Sequence, residues 1–160
     1  ERVLDRVTDR YARENQPALL QYTSELLARI TAGRHLRVVV QPETRSLAVV
    51  DNNGQLRLPG DLSSGTREQL FLALRLAYIL DYCDRSEPLP IILDDVLVNF
   101  DDARAAASLA ALRDAARATQ VILLTCHRRV PDLARSVAPD TLILELQEGH
   151  PPRLQRPADA

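Results

Sequence analysis

The chain is 160 residues long, enough for one domain with a real core. Hydrophobic residues make up 46% and charged residues 26%, which excludes an intrinsically disordered chain. The 20 basic and 22 acidic residues leave a formal charge of −2, so composition gives no general case for nucleic-acid binding through this segment.

Residues 1–32 read as helical. Leu4, Val7 and Tyr11, then Leu19, Tyr22, Leu26 and Ile30, recur at three- and four-residue steps among charged residues. Pro17 divides the pattern into two helices or kinks it, and Gly33 is the expected C-cap. The segment is either an ordinary amphipathic helix or the root of a longer coiled coil. Leu36–Val40 and Leu47–Asp51 read as short strands, and Asn53-Gly54 is a hairpin signal leading into Leu56–Leu58. A strong amphipathic helix follows over 65–82, with Leu70, Leu74, Ala77 and Leu80 on one stripe flanked by Phe71, Leu76 and Ile79. Next come a strand over 91–95, an Ala-rich helix over 102–118 and a strand over 121–125. A short helix over 131–137 and a last strand over 141–146 precede a tail that Pro151, Pro152 and Pro157 are expected to keep loose.

Cys83 and Cys126 lie far apart and suit a reducing cytoplasm better than a disulfide framework. No apolar run approaches the roughly 20 residues needed to cross a bilayer. No signal-peptide pattern is visible, and the abrupt opening leads to the expectation of an excised segment.

Chemistry concentrates at Ile91-Ile92-Leu93-Asp94-Asp95. An apolar run this short, led in by Pro90, suits a strand buried on both faces. Acids at the C-terminal end of such a strand lie where open α/β sheets bind ligands. Strand, helix, strand over 91–125 is a βαβ unit, so the two strands should be parallel with their C-terminal ends on one edge. That spacing gathers Asp94, Asp95 and His127 together. Adjacent carboxylates repel, and a cation relieves them. Consecutive strand residues face opposite ways, so one acid can take Mg²⁺ while the other positions or deprotonates a water. Helix-capping or loop acids would explain the same pair.

Two further segments carry double readings. Leu62 to Gln69 places Ser63, Ser64, Gly65 and Thr66 at a helix start, where backbone N–H groups and hydroxyls can hold an anion. The same residues make an ordinary cap, with Ser64 or Thr66 backed by Glu68 or Gln69. Asp101 and Asp102 open the next helix and suit an N-cap. Cys126 continues an apolar strand and is expected to be buried and inert. None of the five glycines begins a G-x-x-x-x-G-K-[ST] loop, and the chain has no Lys. Zinc-spaced Cys/His sets and G-x-S-x-G elbows are likewise missing from the sequence.

Taken in order, these segments resemble the C-terminal lobe of an ABC-type ATPase head of the SMC-like group. That group includes the DNA-repair ATPases, and within it the chain looks most similar to the bacterial YhaN-like AAA-class proteins. The resemblance covers residues 15–147. Leu62 to Gln69 with the helix behind it looks like the ABC signature, Ile91 to Asp95 like a Walker B strand, Asn99-Phe100-Asp101 like a D-loop, and Leu123 to His127 like the strand bearing the switch histidine. The signature here reads Ser-Ser-Gly-Thr rather than Ser-Gly-Gly-Gln, and Asp95 stands where the wider family usually has Glu.

The resemblance implies an α/β fold, the C-terminal half of a P-loop NTPase head. Residues 1–32 would be a coiled-coil root, 33–148 the lobe with its small hairpin region and parallel βαβ core, and 149–160 a loose tail. It implies ATP and Mg²⁺ as cofactors. Asp94 would hold the metal, and Asp95 and His127 would be catalytic. Ser63, Ser64 and Gly65 would contact a γ-phosphate held by the opposite subunit, and Asp101 would act across the interface. The implied partners are the chain's own N-terminal lobe with the phosphate loop, a second head joined by ATP, DNA through the full-length protein, and a nuclease. A cytoplasmic, nucleoid-associated setting follows, with no membrane partner. Two rival readings stand beside it. One is a stand-alone metal-dependent phosphohydrolase or nuclease using Asp94, Asp95 and His127. The other is a non-catalytic dimerisation domain.

Overall fold

The computed structural model describes residues 18–41 and 44–155. Its first helix, α1, is described over 18–30. Three strands follow: β1 (His35–Val40), β2 (Leu47–Asp51) and β3 (Leu56–Arg57). A 3-10 turn over Pro59–Asp61 leads into the long helix α2 (Ser64–Cys83). Then come β4 (Ile91–Asp94), α3 (Asp102–Ala115), β5 (Val121–Leu124), α4 (Arg129–Val137), β6 (Ile143–Glu145) and β7 (Arg153–Gln155). They pair as an antiparallel sheet in the order β1-β2-β3, a parallel pair β4-β5 and an antiparallel pair β6-β7. The α/β class and the parallel βαβ unit are therefore both present.

One apolar cluster holds α1, β1, β2, α2, β4, α3, β5 and α4 together. Leu27 and Ile30 of α1, Val49 of β2, Leu70 and Leu76 of α2, and Ala105 of α3 are almost wholly enclosed. Burying side chains of this size contributes roughly 1.5–3 kcal/mol for each large aliphatic. The exit from α1 is built as the sequence implies. Gly33 takes φ +75°, and its N–H donates to the Ala28 carbonyl (2.8 Å). The Asp51–Gly54 turn likewise joins β2 to β3, with Gly54 at φ +76°.

Several expectations are corrected. Tyr22 of α1 is exposed, and Thr23 takes the enclosed position, its hydroxyl satisfied by donating to the Leu19 carbonyl (2.7 Å). The enclosed stripe of α2 is rotated from the expected one and runs through Leu70, Ala73, Leu76 and Ala77, with Leu72 and Gln69 beside it. Phe71 and Tyr78 face out, on the side of the helix opposite that stripe. The β4 strand is not buried on both faces. Ile92 is 67% exposed, and Ile122 and Leu124 of β5 share its open side, because the described parallel sheet is covered on one face only. The tail is not wholly loose. Arg153–Gln155 pairs with Ile143–Glu145 after a turn in which Gly149 takes φ +74°, and a proline before a strand costs no ladder bond. Pro17 and the apolar positions before it lie outside the described residues.

Candidate functional site

The parallel register pairs Asp94 with Leu124, so the C-terminal ends of β4 and β5 do lie side by side. Asp94 is the last residue of β4 and points to the open face shared with Ile92. Its carboxylate has no hydrogen bond or ion pair among the described residues. Asp95 departs from the strand. Its φ is +47°, a left-handed conformation that Asp tolerates better than most residues. The turn carries its side chain across to β5. There Cys126 donates to it twice, from the backbone N–H to Oδ1 (3.3 Å) and from Sγ to Oδ2 (3.4 Å).

Hydrogen bonds from Thr125 and then Cys126 hold the Asp95 carboxyl below the ordinary Asp range, with His127 adding a smaller electrostatic contribution. The same contact pushes the Cys126 thiol above its ordinary range. Cys126 is therefore exposed and engaged rather than buried, because β5 ends at Leu124 and the chain has already turned. The His127 N–H donates to the Thr125 hydroxyl (3.1 Å), which fixes this turn. Ligand atoms of Asp95, Cys126 and His127 lie within 4.8 Å of one another.

The α2 start forms the second half of the site. Ser63, not Ser64 or Thr66, is the N-cap, and its Oγ accepts from the Thr66 N–H (3.2 Å). Ser63 and Ser64 are exposed and Gly65 is buried. A Cβ on Gly65 would come 3.3 Å from the Asn99 carbonyl oxygen, so glycine permits the loop after β4 to lie against the helix start. Asn99 Nδ2 also donates to Glu68 (2.8 Å). Glu68 thus reaches that loop instead of closing a capping box. Asp101 caps α3, accepting from the Arg104 N–H (2.9 Å), and remains exposed.

Sequence reasoning missed Arg129. At the first turn of α4, two residues beyond His127, its guanidinium donates to the carbonyls of Phe100 (2.6 Å), Leu97 (3.2 Å) and Val98 (3.4 Å) and to Asp102 (2.9 Å). A planar fork of five donors suits this collection of acceptors. Arg129 therefore ties the loop carrying Asn99 to the turn carrying His127. The signal was a single Arg in an Arg-rich chain, which sequence alone does not distinguish.

No family model matches the chain. The uncharacterized protein YhaN of Bacillus subtilis (strain 168) is 31% identical over 129 residues, a match that takes in 80% of this chain and 13% of YhaN. The chain thus spans only a small part of that relative. Among solved structures, the Smc head domain with coiled coil and joint from Pyrococcus yayanosii aligns over 97% of this chain and 29% of its own, at 16% identity and a TM-score of 0.68. A structure from work on ATP-driven dimerization and DNA-stimulated activation of SMC ATPases aligns over 92% of this chain and 87% of its own, at 16% identity and a TM-score of 0.65. The SMC head domain of Thermotoga maritima aligns over 95% and 50%, at 16% identity and a TM-score of 0.60. The chain therefore has the fold of an SMC ATPase head domain.

Proposed function

We propose that this chain is the C-terminal lobe of an SMC-like ATPase head. With an N-terminal lobe that supplies the phosphate loop, it would bind and hydrolyse ATP between two heads. The observation that carries this reading is the contact of two motifs at the loop after β4. The Ser63–Gly65 helix start rests on Asn99, while Asp94, Asp95 and His127 occupy the adjoining strand ends.

Asp94 suits Mg²⁺, a hard ion that needs few protein oxygens and keeps much of its water. When bound, the ion would offset phosphate charge. Asp95, held ionised by its donors, suits orienting an attacking water more than removing its proton outright. Exposed Ser63 and Ser64 at a helix N-terminus suit a phosphate delivered from outside the chain, namely the γ-phosphate on a second head. Asp101 would then act across that interface and His127 would sense the γ-phosphate. The open apolar face of Ile92, Ile122 and Leu124 supports a covering lobe. Residues 1–32 would be the coiled-coil root and 33–148 the lobe.

Coupling to DNA repair or chromosome maintenance, in a cytoplasmic and nucleoid-associated setting, extends the reading. DNA and a nuclease would then be partners of the full-length protein. It draws support from structural relatives whose ATPase is activated by DNA and whose head is bound to the C-terminal domain of ScpA in Pyrococcus furiosus.

The test is Asp95→Asn in the complete head. ATP binding should persist while hydrolysis falls about 10²–10⁴-fold, the usual contribution of a positioned acid or base. Unchanged hydrolysis would remove Asp95 from the mechanism. Turnover by the chain without its partner lobe would favour the stand-alone phosphohydrolase instead.

A further inference from the structure

The strand-end turn holds a donor set with one member, Cys126, that ATP chemistry does not require. Asp95, Cys126 and His127 offer an oxygen, a sulfur and a nitrogen within 4.8 Å of one another. Magnesium has little use for a thiol or an imidazole, whereas zinc is bound by this mixture. Around tetrahedral zinc, bond lengths of about 2.0–2.3 Å put neighbouring donors about 3.3–3.8 Å apart. The Cys126 Sγ and Asp95 Oδ2 already stand 3.4 Å apart. The backbone holds them there. The Cys126 N–H donates to Asp95 Oδ1, which leaves Oδ2 for an ion, and the His127 N–H to Thr125 Oγ1 bond sets the turn that presents the imidazole. Cys126 is exposed, and Asp95 and His127 are half-buried, so an ion has a path in.

We propose that Asp95, Cys126 and His127 form a three-ligand site for a borderline transition-metal ion, zinc in the first instance. The fourth position is open to water. On binding, the Cys126 thiol proton passes to solvent, and the sulfur exchanges its hydrogen bond to Asp95 for a bond to the metal. Asp95 Oδ1 keeps the Cys126 N–H. The site therefore takes Asp95 and His127 out of use for ATP chemistry and makes the ion a reversible inhibitor. That inhibitory consequence rests on the ATPase reading, whereas the binding does not.

Cobalt(II) reports the ligands directly, through a near-ultraviolet charge-transfer band from thiolate to metal. Titrating the 160-residue chain with cobalt alone should develop the band to one ion per chain. Zinc should displace it, since zinc binds such donor sets more tightly than cobalt. Cys126→Ser should abolish the band, His127→Gln should weaken binding at least about tenfold, and Cys83→Ser should leave both unchanged. Far-ultraviolet circular dichroism on each variant confirms that the fold persists. Lack of a band, or a band that survives Cys126→Ser, or one that disappears in Cys83→Ser, overturns the proposal. The two readings fail separately. A head that hydrolyses ATP through Asp95 but shows no cobalt band loses only the zinc site. A chain with the band, in a head whose hydrolysis ignores Asp95, loses the inhibitory consequence and keeps the site.

Discussion

Two strand ends in this molecule carry an aspartate with a lowered pKa, and they do different work. At the end of β2, Asp51 turns back on its own chain. It accepts from the N–H groups of Asn53 (3.0 Å) and Gln55 (2.9 Å) and from Arg57 Nε (3.4 Å). The Gln55 N–H is the largest cause of its shift. At the end of β4, Asp95 draws its donors from the turn after β5, Thr125 first and Cys126 next. A lowered pKa therefore does not separate a turn-former from a proposed catalytic group. What separates them is the origin of the partners. Asp51 satisfies the backbone and the Arg57 side chain of its own hairpin. Asp95 joins two elements, stands within 4.8 Å of His127 and keeps capacity to accept from a ligand.

The largest effect that tests this contrast is a crossed pair of variants in the complete head. Asp95→Asn should cost about 10²–10⁴-fold in hydrolysis. Asp51→Asn should leave hydrolysis within error and lower the melting temperature. A hydrolytic loss in Asp51→Asn would erase the distinction. Next in size is Arg129→Ala. Removing a guanidinium that serves three carbonyls and a carboxylate should destabilise by about 1.5–3 kcal/mol in urea unfolding. Because the loop over 97–100 then loses its tie, hydrogen exchange there should speed up while the β2–β3 turn is unaffected.

The topology that brings these groups together was legible because βαβ connectivity fixes which ends meet. Ser63 to Gly65 and Asp101 were legible as helix starts because small hydroxyls and acids cap helices whatever else they do. The faces were harder. The Ile91-Ile92-Leu93 run has no polar residue to mark its open side, so only the fold reveals that Ile92 faces out. The α2 stripe is rotated, with Ala73 and Leu76 enclosed where Leu74 and Leu80 are only partly buried, and apolarity alone does not rank them. Cys126 was misread for a related reason. Two residues beyond a strand end, a turn decides exposure, and the left-handed φ at Asp95 that brings the partner across carries no sequence signature stronger than the Asp itself.

Glycine substitutions sharpen the same contrast at smaller cost. Gly54 sits at φ +76° with open space around it, so Gly54→Ala meets backbone strain alone, about 1–2 kcal/mol. Gly65 lies in ordinary helical backbone against the Asn99 carbonyl oxygen. Gly65→Ala should therefore move the loop by a few tenths of an ångström and register in ATP-dependent head dimerisation more than in melting. Equal thermal losses in both, with dimerisation intact, would mean that the α2 start is only a helix cap.

The smallest effect is the pH profile, and it separates the two ends by window. His35 stands opposite Asp51 across the β1–β2 ladder. Burial lowers its pKa first, Arg34 adds to that, and Asp51 opposes it. A histidine with a lowered pKa in the fold takes up its proton more readily when unfolded. Stability is then complete above about pH 6.5 and declines as pH falls from there toward the folded pKa. The carboxylates act lower down. Asp51 and Asp95 both have lowered folded pKa values, so their contribution is complete above about pH 3.9 and is lost as pH falls through the folded values. Urea unfolding from pH 8 to pH 4.5 should therefore show a slope that His35→Gln removes and Asp95→Asn leaves in place. Asp51→Asn deletes the one nearby charge that raises the His35 pKa, so it should steepen that slope. A slope unchanged by His35→Gln would assign the neutral-range dependence to another group and leave the hairpin end with only its acid limb.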